Sequence, residues 1–195
     1  FVWVPVGTIT KTDGTTVEIK LNRYTFADDD NGTPTAQNES VVGTYYQELT
    51  TSDKGNTVAK SISNFKVSVT ANGGYYIGRY EARKSSTNES VTEVRKNEIW
   101  NIINQKNAAI QSQDMYNSMT FTSDLINSFA WDTATLFLQN CGTNSRYSRQ
   151  NSLNQEVSLM GTSEDKQCNI YDMASNLLEW TTETSNSSYG SCVIR

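Results

Sequence analysis

Between Cys168 and Trp180 the chain mixes polar and large apolar residues more densely than anywhere else, and this stretch constrains the fold most. Within it Asp172, Ser175, Leu177 and Glu179 form a D-x-x-S-x-L-x-E series. Its last three members alternate, and alternate residues of an extended chain face one side. Two carboxylates so placed can converge, with intervening backbone carbonyls, on one hard cation, because calcium takes about six to eight oxygen ligands. The tail from Leu177 to Thr182 is apolar, and β-prone at its end, which predicts a buried strand.

A chain of 195 residues suffices for one domain with a sizeable core. The net charge of -5 and the pI near 4.8 argue against a nucleic-acid partner, which would want a basic stripe. Charged residues make up 19%, below the usual share of about a quarter, so Asn, Ser, Thr and Gln supply the polarity. Secreted and surface-displayed proteins often carry such surfaces. No apolar run is long enough to cross a bilayer as a helix. The chain starts on the strand-like Phe1-Val2-Trp3-Val4-Pro5-Val6 and stops after Cys192-Val193-Ile194-Arg195, and reads as a fragment or processed product.

Phe1 to Ile9 reads as a first strand with Pro5 at an edge or bulge. Asp13-Gly14 signals a hairpin, and Val17 to Leu21 alternates into a second strand that continues through Arg23 to Phe26. Asp28-Asp29-Asp30-Asn31-Gly32 is an acidic turn whose Gly falls one place too early for an EF-hand loop. Residues 33–58 read as a long polar connection with one short strand around Val41 to Tyr46. Ile62, Phe65 and Val69 stripe a helix closed by Asn72-Gly73-Gly74, and Tyr75 to Ala82 is an aromatic strand. Residues 83–96 read as loop. Asn97 to Ile103 and Asn107 to Tyr116 read as helices. Asn127 caps a further helix striped by Phe129, Ala130, Ala134, Phe137 and Leu138, which ends near Cys141-Gly142. Residues 143–167 form a polar linker with a strand at Val157 to Met160, and the last strands span 177–184 and 191–195.

Asn169-Ile170-Tyr171-Asp172-Met173-Ala174-Ser175-Asn176-Leu177-Leu178-Glu179-Trp180 resembles the N-x-Y-D-M-A-G-N-V-W-E-W signature of the formylglycine-generating-enzyme (sulfatase-modifying factor) family. The Gly73-Gly74-Tyr75-Tyr76-Ile77-Gly78-Arg79-Tyr80-Glu81-Ala82 run resembles a second element of that family, and residues 125–138 a third. The family's fold is a variant of the C-type lectin fold. The resemblance therefore implies one α+β domain over 1–195 with mixed twisted strands and two or three helices, lacking its C-terminal strands. It also implies a calcium site in which Asp172 and Glu179 give carboxylate oxygens, and Ser175 and Leu177 give backbone carbonyls. Gly has become Ser175 and Trp has become Leu178, and Ser tolerates the left-handed backbone less well, which predicts a distorted loop. The other reading has Asp172 capping a turn and Glu179 pairing with an arginine, with no ion.

The family's oxidase activity uses a cysteine pair in a later segment, and Cys141, Cys168 and Cys192 do not stand at matching positions. No catalytic residue carries over. The absence of His removes the commonest general base and imidazole metal sites. No phosphate-binding Gly loop and no C-x-x-C zinc spacing is present. Cys168 and Cys192 flank the signature strand, and bridging them would close a loop of about 25 residues, stabilising by roughly 3.5 kcal/mol. Cys141 would then stay free and inert. The alternative is buried thiols in a reducing compartment. Two functions follow. One is a noncatalytic extracellular or cell-surface recognition or structural module, such as the globular part of a pilin-like or surface-anchored bacterial protein. Its partners would be a protein or glycan ligand, or neighbouring subunits of a surface assembly. The other is a fragment of a sulfatase-modifying oxidase.

Overall fold

Pro5 and Gly7 divide what reads as one N-terminal strand into two that serve different partners. β1 (Val2–Pro5) pairs antiparallel with β7 (Gly74–Ile77), in the register Val2↔Ile77, Trp3↔Tyr76, Val4↔Tyr75 and Pro5↔Gly74. β2 (Gly7–Thr10) turns away to pair with β3 (Thr16–Ile19). Pro5 has no N–H to continue the ladder, and Gly7 at φ 125° takes a backbone angle that a side chain would resist. The Asp13-Gly14 hairpin forms as expected. Lys11 N–H donates to Thr15 O at 2.8 Å, and Asp13 Oδ1 accepts from the Thr15 amide at 2.9 Å and hydroxyl at 2.6 Å.

The computed structural model describes residues 1–26, 34–36, 46–48, 62–84, 92–94, 103–115, 120–148, 165–175, 179–185 and 192–194. It is a mixed α+β arrangement in which, among the described residues, all strand pairings are antiparallel and three helices occur. β4 (Tyr24–Thr25) pairs with β5 (Thr35–Ala36), and β8 (Ala82–Lys84) with β9 (Thr92–Val94). β10 (Lys166–Gln167) pairs with β11 (Ile170–Tyr171). β12 (Trp180–Ser185) lies between β13 (Cys192–Ile194) and β6 (Tyr46–Glu48). The helices are α1 (Ile62–Asn72), α2 (Gln105–Asp114) and α3 (Ser128–Cys141).

Several boundaries differ from the sequence reading. β3 does not run on through Phe26, because Leu21 to Arg23 leave the ladder before β4. The aromatic strand ends at Ile77, and Ala82 opens a separate pair with β9 where a loop was expected. Ile103 is not helical, and the helix start instead lies at the Asn104 cap, whose Oδ1 accepts from Asn107 N–H at 2.9 Å. The acidic turn at 28–32, the segment 41–45 and the strand expected at 157–160 lie outside the described residues.

α3 is the centre of the fold. Its Asn127 cap accepts from Ala130 N–H at 2.9 Å, and Gly142 N–H returns to Leu138 O at 2.8 Å, as the capping signals predict. Trp131, Ala134 and Leu138 pack with Val4, Tyr147, Ile170 and Met173 into one core cluster. Leu138 is fully buried, which contributes about 2 kcal/mol. Asp132 is buried as well, and its Oδ2 takes Arg23 Nε at 2.6 Å and Tyr24 N–H at 3.0 Å. That pair ties the first hairpin to the central helix.

Candidate functional site

The extended stretch expected from Ser175 through Leu177 to Glu179 passes through 176–178, outside the described residues. Extended chain ends at Tyr171, and Asp172 takes a left-handed φ of 62° that an Asp tolerates better than most residues. The distortion expected at Ser175 therefore falls on Asp172; among the described residues Ser175 is not left-handed. A turn follows, with Ser175 N–H donating to Asp172 O at 3.3 Å. Leu177 lies outside the described residues.

Asp165, a carboxylate that sequence reasoning passed over, holds this turn from within. Its backbone carbonyl accepts from Asp172 N–H at 2.9 Å. Its Oδ2 accepts from Ala174 N–H at 3.2 Å and from the Ser175 hydroxyl at 2.7 Å. Across the hairpin, Tyr147 is buried, and its hydroxyl pKa is raised by that burial and then by the Asp165 carboxylate. The signal that could have found Asp165 is the short β10–β11 hairpin, which returns the chain directly beside Asp172.

Glu81 is the second carboxylate the site gains. Tyr171 N–H donates to Arg79 O at 3.0 Å, and the Tyr80 and Tyr171 rings pack with centroids 5.0 Å apart. Glu81 follows Tyr80 and Asp172 follows Tyr171, so this contact brings both acids to one place. Glu179 joins them from the start of β12, where Trp180 Nε1 donates to Ile103 O at 2.7 Å. Burial pushes the Glu179 carboxyl well above the usual carboxylate range, and the charges of Glu81 and then Asp172 push it further. The residue keeps some accessible surface on a cleft wall while its carboxyl lies deep in protein mass.

The charges of Glu81 and Asp172 thus both act on the Glu179 carboxyl. Crowded carboxylates in a low-dielectric setting either hold a proton or hold a cation. Among the described residues, no three Asp, Glu or Cys side chains gather as a ready-made metal-ligand group. The described side chains supply only part of a calcium shell.

Glu81 and Glu179 line a cleft of about 1320 Å³. Its aromatic lining follows from the β1–β7 register. Val2, Val4, Tyr75 and Ile77 face the core, so Trp3 and Tyr76, directly opposite one another, face out. Their rings meet edge to face at 4.9 Å, with Trp3 36% and Tyr76 68% exposed. Phe1 and Phe121, each 54% exposed, line the same cleft. No Lys or Arg is among its described lining residues. The alternation of Phe1-Val2-Trp3-Val4 carried this signal, since every second side chain of a strand shares a face.

Cys141 and Cys168 are free thiols, both half-buried. The Cys192 side chain lies outside the described residues, so the expected Cys168–Cys192 bridge passes to the redox experiment below. No protein-family model, no curated protein and no solved structure matches the chain.

Proposed function

We propose that this chain is a noncatalytic recognition module of an extracellular or cell-surface protein, with the C-type-lectin-like fold that its signature stretch resembles. The observation that carries the proposal is the cleft, where Phe1, Trp3, Tyr76 and Phe121 present exposed rings with no cationic side chain among the described lining. Aromatic rings left partly in water are costly unless something covers them, and contiguous exposed apolar patches mark interaction sites. Rigid aromatic side chains also supply contact area at low entropic cost. A protein or glycan ligand, or a neighbouring subunit of a surface assembly, would stack on these rings. Among the described residues no helix is long and apolar enough to cross a membrane.

Calcium belongs to the same proposal. Asp172 and Glu179 would hold it by their carboxylates and Ser175 and Leu177 by backbone carbonyls, with Glu81 close by. The ion would neutralise the crowded wall of the cleft. It has no part in chemistry here.

Glycan and peptide arrays probed with the protein and with Trp3→Ser/Tyr76→Ser test the reading. Ligands bound by the parent and lost in the double variant are expected. Equal array signals from both proteins would remove the cleft from the function.

A further inference from the structure

The end of α3 and the β10–β11 hairpin are clamped together by one side chain. Gln167 Oε1 accepts from Thr143 N–H at 2.8 Å, from the Thr143 hydroxyl at 3.3 Å and from Asn144 N–H at 3.4 Å. The approach is so close that a Cβ on Gly142 would clash with that oxygen. The residues flanking this contact, one before Gly142 and one after Gln167, are Cys141 and Cys168. Leu138 lies one helical turn before Cys141, and Cys168 packs against the core cluster that contains Leu138.

We propose that Cys141 and Cys168 are a disulfide-forming pair that staples the end of α3 to the turn carrying Asp172. The bond would close the segment between them and fix the Asp165–Ser175 turn against the central helix. Chemically, one thiolate attacks the S–S bond of a small disulfide such as oxidised glutathione and releases one glutathione thiol. The second cysteine thiolate then attacks the mixed disulfide and releases the other. One S–S bond forms and one breaks, and two electrons and two protons pass from the cysteines to glutathione. Burial raises both thiols, Cys168 to about 11 with the nearby Cys141 charge adding to it, so both stay protonated and slow to react near neutrality. Cys192 stands opposite Thr184 on β12, in a different sheet from the β10–β11 pair.

The test incubates the full chain, and Cys192→Ser, in a glutathione redox buffer at mildly alkaline pH, followed by intact mass and peptide mapping. Loss of two hydrogens and a Cys141–Cys168 cross-linked peptide are expected in both proteins. The melting midpoint should rise by about 10 °C and fall back on reduction. A Cys168–Cys192 cross-link in the parent would overturn the proposal. Glutathione adducts alone, or cysteines that all stay reducible-dye reactive, would overturn it too.

Discussion

The Ser175 hydroxyl donates to Asp165 Oδ2 at 2.7 Å, and the same oxygen takes Ala174 N–H at 3.2 Å. A turn that presents Asp172 thus depends on a carboxylate from the preceding hairpin. Asp165→Ala should cost about 1–3 kcal/mol, because two partly buried donors lose their acceptor. Asp165→Asn keeps one acceptor oxygen and should cost less. Urea unfolding midpoints of the two variants check the order, and equal losses would mean the turn is held elsewhere.

Asp132 and Arg23 form a buried ion pair at 2.6 Å. Asp132→Leu leaves the Arg23 charge buried without its carboxylate and should destabilise by about 3–5 kcal/mol. Adding Arg23→Met removes that stranded charge, so the double variant should recover part of the loss. A double variant less stable than the single one would show that Arg23 stabilises the fold through contacts other than Asp132.

Glu179 sets the pH response. Its folded-state pKa is raised from 4.5 by burial and by Glu81 and Asp172. A raised carboxyl favours the folded state while protonated, so that contribution is fully present below about 4.5 and is lost as pH rises through the folded value. In chelator, the parent should lose stability as pH rises above 4.5, and Glu179→Gln should lose less. Excess calcium should restore the parent at the upper end, because an ion that binds only the folded state stabilises it by mass action. Identical melting of the parent in calcium and in chelator would remove calcium from the account.

The oxidase alternative makes its own demand. Incubated with a Cys-containing sulfatase peptide, the protein should leave the peptide mass unchanged. Conversion of the peptide Cys that depends on this protein would support the oxidase reading over the recognition module.

Local capping and turn chemistry was readable in the residues. Asn127 and Gly142 bounded α3, Asn72-Gly73 closed α1, and Asp13-Gly14 made its hairpin, because each depends on neighbours within four positions. The candidate site was readable only in part. Asp172 and Glu179 stand out in the motif, yet Glu81 and Asp165 arrive through contacts such as Tyr80–Tyr171 that link distant segments. The split at Pro5 to Gly7 was hidden for a similar reason. An unbroken β-prone run does not say that its two halves pair with different strands. The left-handed residue was placed at Ser175 by analogy with a Gly position, whereas the hairpin geometry puts it at Asp172.

The central claim is that the outward rings of the β1–β7 pair bind a ligand. Calorimetric titration of the strongest array ligand into three proteins tests it most directly: the parent, Trp3→Ser/Tyr76→Ser, and Val67→Ser. Val67 is 70% exposed on α1 and is not among the cleft's lining residues, so it controls for general stickiness. Loss of two aromatic anchors should weaken binding at least about tenfold, while Val67→Ser binds like the parent. Equal affinity in all three proteins would contradict the account.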